Sequence, residues 1–277
     1  MAETLISSYL SRLDRFGKSG KIHSTFANSF NIIVNNRLMN FNTAAEFLSS
    51  FGVQISQKNF QKIQPYCQQG NSVTIMNNRL IFSGSRGMEE VELGPLLVKD
   101  LKFSAVPLQS EVLGKVIQIL KDQQLEAKIG IEWNGVSQNY FQQLQENQVK
   151  DWTELVTYLI GRGKGLTPSG DDILLGYLFM LKTYQHPQAS FLEAKLQENI
   201  TATTSISENY FYALLDGFVS SVIFALWELL KKGGSVEELQ KCIVHLSQVG
   251  HTSGKDMCFG ILLGALAVRN EVKPKSV

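Results

Sequence analysis

Apolar residues recur along this chain with two different periods. In the first part the period is two. IHSTFANSFNIIVNNRLMNF (residues 22–41) alternates and turns at Asn35-Asn36, and SVTIMNNRLIFSG (72–84) repeats that logic around Asn77-Asn78. Asparagine tolerates the positive φ that tight hairpin turns need, so both stretches predict β-hairpins. VELGPLLV (91–98) predicts a further strand. Between the hairpins, TAAEFLSSFG (43–52) and QKNFQKIQPYC (57–67) have helical spacing. Residues 108–125 predict a helix with Val112, Val116, Ile117 and Leu120 on one face. The first sixteen residues, MAETLISSYLSRLDRF, carry charges inside an apolar pattern, which predicts an amphipathic helix rather than a signal peptide.

From about residue 140 the period changes to that of helices, predicted over 150–160, 170–185, 188–200, 206–232, 235–248 and 254–269. Gly233-Gly234 closes the longest, as glycine does at helix C-termini. The apolar run FVSSVIFALWELL (218–230) is shorter than a bilayer requires and is flanked by Asp216 and Lys231, so it reads as a buried helix. The fold class expected is α+β: a β-rich N-terminal region with hairpins over 1–140 and a helical region over 141–277, joined near 130–145.

Charge and cysteine content remove several function classes. Twenty-six basic residues nearly balance 25 acidic ones, for a net charge of +1, which argues against a nucleic-acid surface. Cys67, Cys242 and Cys258 are odd in number, far apart and without CxxC spacing; reduced thiols of a cytoplasmic protein fit better than a disulfide framework or a zinc site.

The candidate chemistry lies in GRGKGLTPSGDDILLGYL (161–178) and its echo, GHTSGKDMCFGILLG (250–264). Ser169-Gly170-Asp171-Asp172 aligns with Ser253-Gly254-Lys255-Asp256; three apolar residues follow in each, then Gly176 or Gly260. The shared pattern is S-G-x-D-(apolar)3-G, each time opening a predicted helix. Two readings stand. In the first, Ser and Asp form capping boxes, and Gly176 and Gly260 let two helices pack closely. In the second, the glycine after each serine, a poor helix former, admits a ligand to the backbone, and two facing helix N-termini grip an anion. Gly165 and Gly170 have P-loop spacing, but Asp171 and Asp172 stand where Lys and Ser/Thr belong, so this is no nucleotide P-loop. Asp171, Asp172 and Asp256 could hold magnesium, a weaker reading than caps plus a solvated acid, and Arg162 and Lys164 read as solvated loop bases.

Other candidates are fewer. His251, beside Thr252 in the second loop, suits hydrogen bonding or proton transfer to a ligand oxygen. His23 and Ser24 open the first strand among polar neighbours. His186 reads as a surface residue and Cys258 as a core thiol. In TATTSIS (201–207), Ser205 with Glu208 reads as a capping box, leaving Thr203 and Thr204 as spare hydroxyls.

HSTFANSFN, GLTPSGDDILLG, TTSIS before a long helix and GHTSGKDMCFG, in this order, resemble a bacterial family long described as of unknown function. One branch of that family is the H subunit of the oxamate carbamoyltransferase of anaerobic allantoin breakdown. The resemblance implies a cytoplasmic protein of purine-nitrogen metabolism. It also implies a reaction of oxalurate and phosphate to give oxamate and carbamoyl phosphate, and partner subunits, one similar to an acyl-CoA synthetase. Through the shared motifs it makes Gly165, Thr167, Ser169, Gly170, Asp171, Asp172, His251, Ser253, Gly254 and Asp256 site candidates. Of these, His251, Asp172 and Asp256 are the candidates for chemistry. The remainder, with Thr252, Thr203, Thr204, His23 and Ser24, are candidates for holding an anion. A non-catalytic subunit that binds a metabolite or docks a partner is the alternative.

Overall fold

The computed structural model describes residues 3–43 and 46–272. It divides into two units, Met1–Lys102 with Phe218–Ser221, and Phe103–Gly217 with Val222–Val277.

In the first unit the alternating stretches pair into one sheet. Its strands are β1 (Thr4–Ser7), β2 (Ser19–Thr25), β3 (Ser29–Val34), β4 (Arg37–Asn42), β5 (Gly52–Gln54), β6 (Ser72–Met76), β7 (Arg79–Gly84), β8 (Gly87–Glu92) and β9 (Leu96–Lys99). They run in the order β8-β7-β6-β2-β3-β4-β5-β1-β9. Both Asn-Asn turns form where expected: Asn35 and Asn36 have φ 48° and 61°, and Asn77 has φ 52°. One face buries Phe30 stacked on Phe41 at 5.0 Å, with Phe60 and Phe82 around them. Helix α1 (Gln57–Ile63), capped by Ser56, supplies Phe60.

Three local expectations change here. The N-terminal helix is not formed: Thr4–Ser7 is a strand between β5 and β9, and turns follow it. Its apolar spacing fits either period, and pairing with strands distant in sequence decides. The helix over TAAEFLSSFG also fails. Residues 44 and 45 lie outside the described residues, 46–51 form turns, and Gly52 opens β5. VELGPLLV is split between β8 and β9 at Gly94-Pro95, where proline has no N–H for the ladder.

The second unit is helical, with α2 (Ser110–Asp122), α3 (Gly135–Gln145), α4 (Trp152–Leu159), α5 (Ser169–Thr183), α6 (Ala189–Asn199), α7 (Ser205–Leu215), α8 (Ser221–Lys232), α9 (Val236–Ser247) and α10 (Ser253–Val272). The long helix expected over 206–232 is two helices. Gly217 takes φ 85° after α7, and Phe218–Ser221 belongs to the first unit, where the Ser221 hydroxyl accepts from Leu48 N–H at 2.9 Å. His186 is buried, not on the surface; its Nδ1 accepts from the N–H of Gln188. Cys258 is a fully buried core thiol. No helix among the described residues is long and apolar enough to cross a membrane.

Helices α5 and α10 form the centre of this unit. Both are apolar on all sides, α5 with every residue but Lys182 buried, which is the pattern of a helix surrounded by others. They pack on each other through their glycines. A Cβ at Gly176 would overlap the Met257 carbonyl oxygen, and a Cβ at Gly260 the Ile173 carbonyl oxygen. Ile173 lies four residues after Ser169, and Met257 four after Ser253, so the contact is reciprocal and the two helix starts are held side by side. The close packing expected of these two glycines is what the structure shows.

We expect Gly260→Ala to lose about 1–3 kcal/mol in urea unfolding, the cost of overpacking against backbone that cannot give way. Gly114→Ala, on an exposed turn of α2 where an added Cβ meets nothing within 4 Å, should gain about 0.5–1 kcal/mol. Equal effects at the two positions would contradict the packing described.

Candidate functional site

The two S-G-x-D segments begin their helices one residue earlier than capping predicts. Pro168 occupies the N-cap of α5 with no side-chain cap bond, so Ser169 is already inside the helix. At α10 the N–H of Asp256 bonds the Thr252 carbonyl at 2.9 Å, which sets Ser253 inside in the same way. The serines are thus free to act across the helix pair. Ser253 lies beside Asp172, and Ser169 beside Asp256, so each helix start sets its serine against the other's aspartate, where a hydroxyl favours the ionised acid. Thr167 Oγ1 lies 2.6 Å from Ser253 Oγ and extends the first of these pairings.

The glycines after the serines serve the helical hairpins. A Cβ on Gly170 would overlap the Leu159 carbonyl oxygen at the end of α4, and one on Gly254 the Leu246 carbonyl oxygen in α9. Their N–H groups donate to Arg162 O (2.8 Å) and Val249 O (2.9 Å). What approaches the backbone here is therefore the preceding helix. The N–H groups of Ser169 and Ser253 donate to no backbone carbonyl among the described residues.

Around the pair the chain converges from three further places. Asp171, wholly buried, accepts from Gly161 N–H at 2.7 Å and from the Thr203 hydroxyl. Thr204, rather than Ser205, caps α7, and its hydroxyl donates to the Leu166 carbonyl at 2.5 Å. Glu208 accepts instead from Tyr212 Oη at 2.9 Å. Gly130 gives its N–H to Asp256 Oδ1 at 2.8 Å, and a Cβ there would overlap Ser169 Oγ. Gly130 was not singled out from sequence, because it contributes a backbone donor that leaves no side-chain signature.

The cluster is acidic and largely withdrawn from water. Burial raises Asp172 well above its ordinary value of 3.8, and the charges of Asp256 and Asp171 add to this; Ser253 and Thr167 oppose it. Burial also raises Asp171, against Thr203, Gly161 and Ser207. Asp256 is raised by burial too, against Gly130, Ser169, Thr252 and the Lys255 charge. Asp172 is 4% exposed and Asp256 0%, yet one oxygen of each, Oδ2, has no hydrogen-bond partner. Such an unmade bond costs on the order of 1–3 kcal/mol in a buried polar group.

The structure thus brings together Thr167, Ser169, Asp171, Asp172, Thr203, Thr252, Ser253 and Asp256, with Gly165 exposed on the loop beside them. His251 is exposed, and its carbonyl takes the Lys255 ammonium at 3.4 Å. Arg162 lies over the Tyr158 ring at 3.9 Å, which turns its guanidinium to its own helix. His23 and Ser24 are on β2 in the other unit. There His23 Nδ1 lies 3.1 Å from Ser24 Oγ, which also accepts from Asn31; Asn40 donates in turn to Asn31, and Asn42 to Asn40. Among the described residues no group of three or more His, Cys, Asp or Glu is placed to hold a metal ion.

Comparison with known families decides the kinship. A family model described as oxamate carbamoyltransferase subunit AllH matches residues 159–265, and one described as the AllH family N-terminal domain matches residues 2–93. The chain belongs to the AllH family. No curated protein and no solved structure matches it. The AllH match runs from the last residue of α4 into α10, so it spans both S-G-x-D segments and Thr203–Thr204. The N-terminal AllH match takes in β1 through β8, and Gly130 falls between the two.

Raised carboxyl groups in this AllH chain have a thermodynamic consequence. A folded-state value above the unfolded one means that the native protein holds protons the unfolded chain has released, so stability falls as pH rises above about 4. We expect the urea midpoint to fall between pH 4.5 and 8, and Asp172→Asn to flatten that fall while losing no stability at pH 8. Identical pH slopes for the two proteins would show that Asp172 ionises normally in the native state.

Proposed function

We propose that this chain is a subunit of a carbamoyl-transferring enzyme of the oxamate carbamoyltransferase type, and that the paired starts of α5 and α10 hold its substrate. The observation that carries this is the pair of buried acids at the two helix starts, Asp172 and Asp256, each of which keeps one carboxyl oxygen without a hydrogen-bond partner. Folding does not use those atoms, and a bound molecule can. The AllH family model supports the kind of enzyme.

In the reaction proposed, a phosphate oxygen bonds to the carbamoyl carbon of oxalurate. The C–N bond to the oxamate nitrogen then breaks, and that nitrogen takes up one proton. Negative charge gathers on the carbamoyl oxygen in between, and fixed donors lower the barrier. Thr167, Ser253, Ser169 and Thr252 are hydroxyls already oriented at the helix starts, and the N–H groups of Ser169 and Ser253 carry the positive ends of the helix dipoles. They suit phosphate and the developing oxyanion. Asp172, whose proton burial holds more tightly than usual, suits delivery of the proton to the leaving nitrogen, and the exposed His251 suits exchange of that proton with water. In this reading the chain works in the cytoplasm with partner subunits, one of them similar to an acyl-CoA synthetase.

One observation favours a second reading, a binding or assembly subunit without chemistry of its own. Asp171 on Gly161, and Asp256 on Gly130, visibly hold the local fold together. Reconstitution with the partner subunits separates the two. For the catalytic reading, Asp172→Asn should lower kcat about 100-fold or more while gel filtration still shows the intact assembly. Full turnover, or lost assembly with unchanged kcat in what remains, would favour the second.

A further inference from the structure

Helices α3 and α10 together line a cavity of about 340 Å3. From α10 come Phe259, Leu262, Leu263 and Leu266, all buried. From α3 come Gln138, Phe141, Gln142 and Gln145. Both sets follow the spacing i, i+3, i+4, i+7, which is one face of a helix. Packing alone favours apolar side chains opposite an apolar stripe, yet three of these four on α3 are amides. Trp133 also lines the cavity; it is 42% exposed, stacks on Phe141 at 5.7 Å and meets Phe259 edge to face at 6.0 Å. The charged side chains at the cavity, Lys121 and Glu126, are exposed and opposite in sign. We propose that this cavity binds a neutral, fused heteroaromatic ring of nucleobase size. Such binding is independent of the transferase reading.

A heteroaromatic ring is apolar on its faces and polar around its edge. Its faces match the leucines of α10 and the indole of Trp133, where stacking adds to the burial of apolar area. Its edge carries N–H donors and ring-nitrogen acceptors, and each glutamine amide offers a partner for both. An aliphatic ligand would cover the amides without pairing them, which costs free energy. An ion of either sign meets Lys121 and Glu126 together and gains nothing net from the pair. The volume of about 340 Å3 stands at the lower end of the roughly 300–1,000 Å3 of small-molecule sites and is too small for a partner's helix, about 10 Å across. The cavity also adjoins the acidic cluster through the chain. Gly130, whose N–H is on Asp256 Oδ1, is three residues from Trp133, and Asp256 is three residues from Phe259. A ring stacked on Trp133 therefore steadies the segment that supplies this donor.

The test is titration calorimetry on the full chain with two uncharged probes of similar size, adenine and cyclohexanecarboxamide. The first is a flat ring with polar edges, and the second has a polar group but no flat face. We expect adenine to bind at least about 10-fold more tightly, as stacking of a base on aromatic side chains implies. Trp133→Leu should remove about 10-fold of the adenine affinity, and Gln138→Leu should weaken adenine while leaving cyclohexanecarboxamide within about twofold. Amide hydrogen exchange locates the bound probe: adenine should slow exchange across residues 130–145. Equal affinity for the two probes, binding of neither, or adenine binding without protection of that segment overturns the pocket. The probe comparison and the exchange map need only the wild-type chain, so misfolding of a variant does not affect them.

Discussion

The approach of two backbones at Gly176 and Gly260 governs the rest of the helical unit. Each glycine lies against a carbonyl of the other helix, and any side chain there would drive α5 and α10 apart. With the axes that close, two helix starts come side by side, and their first residues must satisfy one another. Ser169 and Ser253, displaced from the capping position by Pro168 and Thr252, lie beside Asp256 and Asp172 of the other helix. The polar cluster is therefore a product of packing geometry. Its acidity follows because the same packing excludes water from three carboxyl groups.

This arrangement spends folding free energy. Two carboxyl oxygens without hydrogen bonds, and acids whose ionisation burial disfavours, each oppose the native state. The surrounding apolar layers of α5 and α10 offset that cost. A buried cluster that only held helices together would be served as well by apolar residues of similar volume, because replacing a buried polar network in that way is often neutral or stabilising. The two unpartnered oxygens are the part of the cluster that the fold does not use, and the proposed function rests on them.

Much of this was legible in the sequence, unevenly. Asn35-Asn36 and Asn77-Asn78 announced their hairpins because few residues tolerate positive φ. The S-G-x-D repeat, with glycine seven residues after each serine, announced both the helix starts and their close packing. Thr4–Ser7 misled because a short apolar stretch fits either period until its pairing partners, β5 and β9, are known. The break at Gly217 was hidden by the unbroken apolar run that follows it. In the site, the residue types were readable and their partners were not. Capping predicts that Ser169 bonds within its own helix, and only the three-dimensional pairing shows that it faces Asp256 of the other. Gly130 was invisible, since it acts through a main-chain N–H that every residue but proline possesses.

The two copies of the motif differ at their third position, which is Asp171 in one and Lys255 in the other. Asp171 is buried on Gly161 and Thr203; Lys255 is half-exposed, with its ammonium on the His251 carbonyl. A frame that is nearly symmetric in its backbone is therefore asymmetric in charge. A symmetric groove would accept a two-ended molecule in either sense. On the proposed reading, a ligand with one anionic and one neutral end would meet different charge at the two helix starts, and its two senses of entry would differ in energy. The repeated motif supplies the paired helix starts, and its one unmatched position makes them unequal in charge.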